Sequence, residues 1–191
     1  SGEWVLWCAP ESAHHTWSAQ WRVRSDDGFS LSGRLGDQDT RPLVSTAERA
    51  GVAVLVDGLV DDASWWRHHD GGQRAPADVV LAAYRAEPAH YLNATRGANV
   101  RVVLDGPEGV FVAARDPLGA QPLFYTALSG GVAVSPSIER LLALPGVSQA
   151  LSRPALADHL CGRWPDPEET YYVAVRRVPA GHALTWRRNG P

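Results

Sequence analysis

Residues 110–126, VFVAARDPLGAQPLFYT, constrain the fold more than any other stretch of the chain. An apolar run reaches Ala114, meets the charged pair Arg115-Asp116, breaks at Pro117-Leu118-Gly119 and resumes at once as Pro122-Leu123-Phe124-Tyr125. Short apolar runs bounded by Pro and Gly read as buried strands on either side of a turn. The two flanks are expected to form a hairpin. Arg115 and Asp116 would sit at the hinge between adjacent strands, a structural ion pair that organises the turn and takes no part in catalysis.

The rest of the chain supplies more strands and a few helices. EWVLWC (3–8) and WSAQWRV (17–23) carry apolar and aromatic residues at strand-like spacing, and VAVLVDG (52–58) is a continuous apolar run closed by Asp-Gly. ADVVLAAYRAE (77–87) predicts a helix with Val79, Val80, Ala83 and Tyr84 on one face. Hairpins are expected over 100–116, around Asp105-Gly106-Pro107-Glu108-Gly109, and over 122–135, turning at Ser129-Gly130-Gly131. PSIERLLALPG (136–146) and SRPALADHLCG (152–162) each place Pro near a helix start and Gly past its end, with Ser152 or Arg153 near the second N-cap. The tail reads as extended segments around Pro179-Ala180-Gly181. Strands and helices come in blocks and do not alternate as βαβ units would, which predicts packed sheets with helices outside.

Composition excludes several classes of function. The 191 residues carry a net charge of −3, so nothing favours nucleic acid or an anionic membrane, and no apolar run is long enough to span a bilayer. The N-terminal residues lack the pattern of a secretion signal, which points to a cytoplasmic protein. Cys8 and Cys161 have no paired spacing and read as two buried, reduced thiols. All 18 basic residues are arginine and Ile138 is the only isoleucine, a GC-rich coding bias without chemical meaning. Methionine is absent, which makes Ser1 the expected free N-terminus. The pairs His14-His15 and His68-His69 would point to opposite faces of a strand, and no zinc-type spacing appears, so no metal site is expected. The eight tryptophans, Trp65-Trp66 among them, are assigned to sheet packing. SGGVAVS (129–135) lacks the Asp-Ser and the strand-to-helix context of a pyrophosphate loop, and reads as a hairpin turn.

ARDPLGAQPLFY (114–125) resembles the Ala-Arg-Asp-x-x-Gly-x-x-Pro-Leu-Tyr-Tyr hallmark of the N-terminal domain of asparagine synthetases. Other landmarks of that family follow in the same order. SGEWVLW resembles its Cys-Gly-Ile-Trp start; GRL (33–35) with TRPLVS (40–45), its Arg-Leu … Gln-Pro-Met segment; VLVDGLVDD (54–62), its Phe-Asn-Gly-Glu-Ile-Tyr-Asn loop. ADVVLAAY, SIERLLALPGV and VRRVPAGHAL match its later helices and closing strand, so the resemblance covers nearly the whole chain. It implies an α+β fold, the four-layer αββα N-terminal-nucleophile (Ntn) sandwich of two mainly antiparallel sheets found in class II glutamine amidotransferases. Residues 1–191 would form one such domain, without the C-terminal ATP-dependent synthetase domain.

In that family the first residue attacks the glutamine side-chain amide and its own α-amine serves as base. The resemblance places Ser1 at the position of the Cys nucleophile, Arg34 at the arginine that pairs with the substrate carboxylate, and Gly58 at the glycine whose N–H helps build the oxyanion hole. Two positions depart from the pattern. Asp57 replaces the Asn whose N–H₂ donates to the oxyanion; an ionised carboxylate only accepts and would repel the growing charge. Pro76 replaces the Asp that binds the substrate amine, while Asp78 matches a family Glu that touches no substrate. Cys8, seven residues into the chain, has no adjacent free amine and cannot substitute for Ser1.

The expectation is therefore a glutaminase-deficient domain that acts as structural partner of an ATP-dependent amide-forming synthetase. β-Lactam synthetases and lasso-peptide cyclases follow that logic, with a slight preference for the latter. No cofactor is expected in this domain; ATP and Mg²⁺ belong to the synthetase domain, present in cis or as a separate chain. A homodimer, a precursor peptide and a small-molecule substrate stay open as partners. Two alternatives stand beside this reading: an active glutaminase using Ser1 to supply ammonia, and a stand-alone binding module without catalysis.

Overall fold

The computed structural model describes residues 4–10, 21–24, 29–34, 44–60, 75–164 and 166–188. Its strands are, in chain order, β1 (Val5–Pro10), β2 (Trp21–Arg24), β3 (Phe29–Arg34), β4 (Val44–Arg49), β5 (Val52–Gly58), β6 (Asn99–Asp105), β7 (Val110–Arg115), β8 (Phe124–Leu128), β9 (Gly131–Ser135), β10 (Arg176–Arg177) and β11 (Ala183–Arg187). The helices are α1 (Pro76–Ala86), α2 (Tyr91–Ala94), α3 (Ile138–Leu142) and α4 (Arg153–Leu160). Contacts divide the chain into two compact units, Ser1–Gly36 with Pro122–Pro179, and Asp37–Gln121 with Ala180–Pro191.

The first unit holds a six-stranded sheet in the order β10-β8-β9-β1-β3-β2, with all neighbouring strands antiparallel. Strand alternation sends Val5 and Trp7 to one face, where they pack with Ala133, Leu141 and Val175 under α3. Leu6 and Cys8 point the other way and are fully buried too. The buried Ser135 hydroxyl donates to the Trp4 carbonyl (2.6 Å), tying β9 to the chain just before β1.

The second unit holds a five-stranded antiparallel sheet, β11-β7-β6-β5-β4. Its β4–β5 hairpin turns at Ala50-Gly51, both at positive φ (52° and 76°), the backbone that a two-residue hairpin requires. Val52, Val54, Val56 and Val103 form one face of the sheet, closed by Ala77, Val80, Leu81, Ala83 and Tyr84 of α1. Sequence and structure agree closely on α1. Its first-turn amides have no N-cap side chain; the Ser45 hydroxyl of β4 accepts from Ala77 N instead (3.0 Å). The Tyr84 hydroxyl donates to Asp105 (2.9 Å), whose other oxygen accepts from Glu108 N, so one carboxylate fixes both the helix and the β6–β7 turn. Arg101, buried in β6, donates to the carbonyls of Leu92 and Thr95 and to the Thr95 hydroxyl, satisfying the C-terminal end of α2.

Several sequence expectations need correcting. The flanks of the Arg115-Asp116 turn do not pair: β7 lies between β6 and β11, and β8 between β9 and β10. The turn therefore carries the chain from one sheet into the other. Cys161 is exposed and only Cys8 is buried, because Cys161 follows α4, whose only buried residue is Ala155. No disulfide joins Cys8 and Cys161. Tryptophan packing holds for Trp4 and Trp7 but fails for Trp164, which is 97% exposed. Trp65-Trp66 and both histidine pairs lie outside the described residues. No helix among the described residues is long and apolar enough to cross a membrane.

Candidate functional site

The segment Asp57-Gly58-Leu59 closes β5, the strand flanked by β4 and β6. Cross-strand register and alternation decide which way its side chains face. Val54 and Val56 belong to the α1 face, so Asp57 shares the opposite face with Ala53 and Leu55. Asp57 pairs with Val44 of β4 and Val100 of β6, and Val100 in turn with Arg115 of β7. Asp57 is 3% exposed, a carboxylate set into an apolar sheet face.

Gly58 cannot be replaced without moving backbone. Its φ is +122°, and a Cβ there would lie 2.3 Å from the Ala98 carbonyl oxygen and 2.9 Å from Asn99 Cα. The same neighbours hold the following residue: Leu59 N donates to Ala98 O (3.1 Å), and Asn99 Nδ2 donates to Leu59 O (2.7 Å). Asn99 thus clamps the end of β5. Its Oδ1 is buried without a hydrogen-bond partner, as are Tyr91 Oη and Arg101 Nε close by on the helix side. Sequence reasoning passed over Asn99 because a polar residue opening a strand carries no local signal of what it will hold.

The remaining expected site residues are placed as follows. Pro76 opens α1 as a first-turn proline, half-buried, with its fixed φ and missing N–H suited to a helix start. Asp78, two residues on, is exposed and lies in the favourable first turn of the helix dipole. Arg34 closes β3, its Cα paired with Val5 of β1. Ser1 lies outside the described residues. Arg34 falls in the first unit, and Asp57, Gly58 and Pro76 in the second.

Arg115 and Asp116 organise a turn, through backbone groups. Asp116, 1% exposed, accepts from the amides of Leu118 (3.0 Å), Ala120 (3.1 Å) and Gln121 (3.4 Å). Arg115 donates to the carbonyls of Gln121 (2.6 Å) and Gly119 (2.8 Å). The Asp116 main chain adds bonds to Asn99 O, Gly119 N and Gly181 N. Gly119, at φ +66°, lets the loop pass over Arg115 and Ala180.

A cavity of about 710 Å³ opens on the second unit, but on the α1 face, among Tyr84, Tyr91, Asp105, Val112 and Thr185. Asp57 faces the other way. Burial, the Asp105 hydrogen bond and that negative charge raise the Tyr84 pKa above the ordinary tyrosine range. Burial raises that of Tyr91 as well, with Arg101 opposing. Among the described residues no three His, Cys, Asp or Glu side chains converge as metal ligands.

Comparison with known proteins bears on the family and the fold. A family model described as glutamine amidotransferase domain matches residues 67–191. Amidase chyE of Penicillium rubens is 26% identical over 168 residues, 84% of this chain and 23% of that protein. Asparagine synthetase [glutamine-hydrolyzing] 3 of Bacillus subtilis is 25% identical over 126 residues, 65% of this chain and 20% of its own length. The chain thus spans about a fifth to a quarter of the curated relatives it matches. Among solved structures, the glutamine phosphoribosylpyrophosphate (PRPP) amidotransferase from B. subtilis complexed with ADP and GMP aligns over 100% of this chain and 42% of its own. Its TM-score is 0.51 at 13% identity, which shows the fold alone. Two antiparallel sheets with flanking helices are the Ntn-hydrolase-like αββα class expected from the sequence. The chain belongs to the glutamine amidotransferase domain family, with asparagine synthetase among its relatives.

Proposed function

We propose that this domain has lost glutaminase activity and serves as the structural partner of an ATP-dependent amide-forming synthetase. The observation that carries this reading is Asp57, buried at the end of β5 beside a glycine whose site admits no side chain. With Ala98 and Asn99 holding Gly58 and Leu59, the strand end has little freedom to present a different group at residue 57. A carboxyl side chain there has no N–H to offer an oxyanion. Losing one such donor typically costs about 10²–10³-fold in rate, and a negative charge costs more. Pro76 supports the same conclusion, since a first-turn proline supplies neither charge nor side-chain acceptor for a substrate amine.

The names of these two relatives, an amidase and an asparagine synthetase, agree on amide C–N bonds as the chemistry. In the synthetase, ATP and Mg²⁺ would activate a carboxylate for attack by an amine. Where that amine comes from the substrate itself, as in β-lactam synthetases and lasso-peptide cyclases, no ammonia is needed and a silent glutaminase costs nothing. The rival is a working glutaminase with Ser1 as nucleophile, favoured by the glutamine-hydrolyzing name of the B. subtilis relative. A diazoketone analogue of glutamine separates the two. Intact mass should show no adduct on the chain with a free Ser1; an adduct that disappears in Ser1→Ala would overturn the proposal.

A further inference from the structure

Seven large apolar residues among those described are exposed, and five of them fall between positions 151 and 173: Leu151, Leu160, Trp164, Tyr171 and Val173. They belong to one local substructure of the first unit. Leu151 bridges to Tyr172, Ser152 N donates to Tyr171 O, Val173 N donates to Ala150 O, and the Tyr171 hydroxyl meets His159 Nδ1 at 3.0 Å. Helix α4 is held down by Ala155 as its only buried residue. An eight-residue helix is not stable alone in water and depends on packing. Trp164 at 97% and Leu160 at 85% exposure are more apolar surface than a monomer normally leaves wet in one place.

We propose that this face is the docking surface for the synthetase domain of the parent enzyme, a partner whose existence rests on the functional reading above. Two observations select that occupant. The curated relatives are some four to five times longer than the matched segment, since it makes up 23% and 20% of their lengths. A face covered permanently by the same polypeptide can keep a bare tryptophan that a free surface would not tolerate. The charges around the patch also fit a protein. Arg153, Arg163 and Arg176 alternate with Asp158, Asp166, Glu168 and Glu169, and Arg163 meets Asp158 at 3.5 Å. Bare apolar side chains with charges of both signs interspersed along the same segment suit a protein partner, whereas an anionic membrane would call for a basic excess.

The test compares hydrogen exchange of this chain alone with the chain accompanied by the rest of its parent enzyme, joined in cis or added in trans. Amides over 151–173 should slow by at least about tenfold, while those around Leu118, equally bare at 90% exposure but isolated, should not change. In trans, Leu160→Asp with Trp164→Asp should weaken binding by at least about tenfold, and Leu118→Asp should not. Unchanged near-ultraviolet circular dichroism shows that the variants fold. Protection elsewhere only, affinity within twofold of the unsubstituted chain, or a self-dimer that the same substitutions dissociate would each overturn the assignment. A parent with no synthetase-type segment would instead sink the functional reading, and this occupant with it.

Discussion

Replacing Asp116 by Ala removes the acceptor of three amides at once, and the structure sets the size of the loss. Leu118 is 90% exposed, so its N–H can turn to water at little cost. Ala120 is exposed as well, and Gln121, half-buried, bonds at a longer 3.4 Å. A hydrogen bond to a charged group contributes about 1.5–3 kcal/mol. Three such bonds, two of them discounted because water can reach the Leu118 and Ala120 amides and all offset in part by the relief of no longer burying a carboxylate, give a net destabilisation of about 3 kcal/mol. Asp116→Asn keeps one carbonyl oxygen for the amides and should cost about 1–2 kcal/mol. For a chain of this size, 3 kcal/mol corresponds to a fall in Tm of about 6–12 °C. Urea unfolding followed by tryptophan fluorescence and far-ultraviolet circular dichroism would read it as a shift in midpoint at constant slope. A loss below about 1 kcal/mol for Asp116→Ala, or equal losses for Ala and Asn, would refute the view that this carboxylate holds the turn by accepting from its backbone.

Three further outcomes follow from the geometry. Gly58→Ala should destabilise by about 3 kcal/mol or more, combining strain at φ +122° with the clash on Ala98 O, and urea midpoints would measure it. Tyr84 and Tyr91, both raised above the ordinary tyrosine value of about 10, should stay protonated in the folded chain where the unfolded chain ionises. The folded state then binds more protons, so stability should be intact below pH 10 and fall as pH rises above it, with absorbance at 295 nm showing their ionisation only on unfolding. Ser152→Ala should cost about 1 kcal/mol, because the hydroxyl accepts from Ala155 N at 3.3 Å to cap α4; thermal melts would report it.

What was legible in the sequence is the part written in local chemistry. The unbroken apolar run of β5, the Asp-Gly-Pro-Glu-Gly turn between β6 and β7, the one-sided apolar pattern of α1 and the Pro-led α4 were all readable from neighbouring residues. The β4–β5 hairpin was not, because its turn uses Ala50 at φ 52° where Asn, Asp or Gly would have announced it. Nor was α2, four residues long and held by Arg101, whose reach back to Leu92 and Thr95 exists only once β6 has formed. The strongest local signal misled in one respect. Two apolar runs separated by a tight turn look like a hairpin, and only sheet pairing reveals that β7 and β8 belong to different sheets. At the candidate site, motif order picked out Asp57 and Gly58. It could not reveal that Gly58 is pinned by Ala98 and Asn99, since that contact joins residues some 40 positions apart.

The central claim is that a buried carboxylate at position 57 leaves the domain unable to hydrolyse glutamine. Glutamate release from glutamine by the chain with a free amino-terminal Ser1, compared with Ser1→Ala and with Asp57→Asn, tests it most directly. The account predicts background rates for the unsubstituted chain, equal to those of Ser1→Ala, with any gain appearing only when Asp57→Asn supplies a donor. Turnover by the unsubstituted chain that vanishes in Ser1→Ala and is no faster in Asp57→Asn would contradict it.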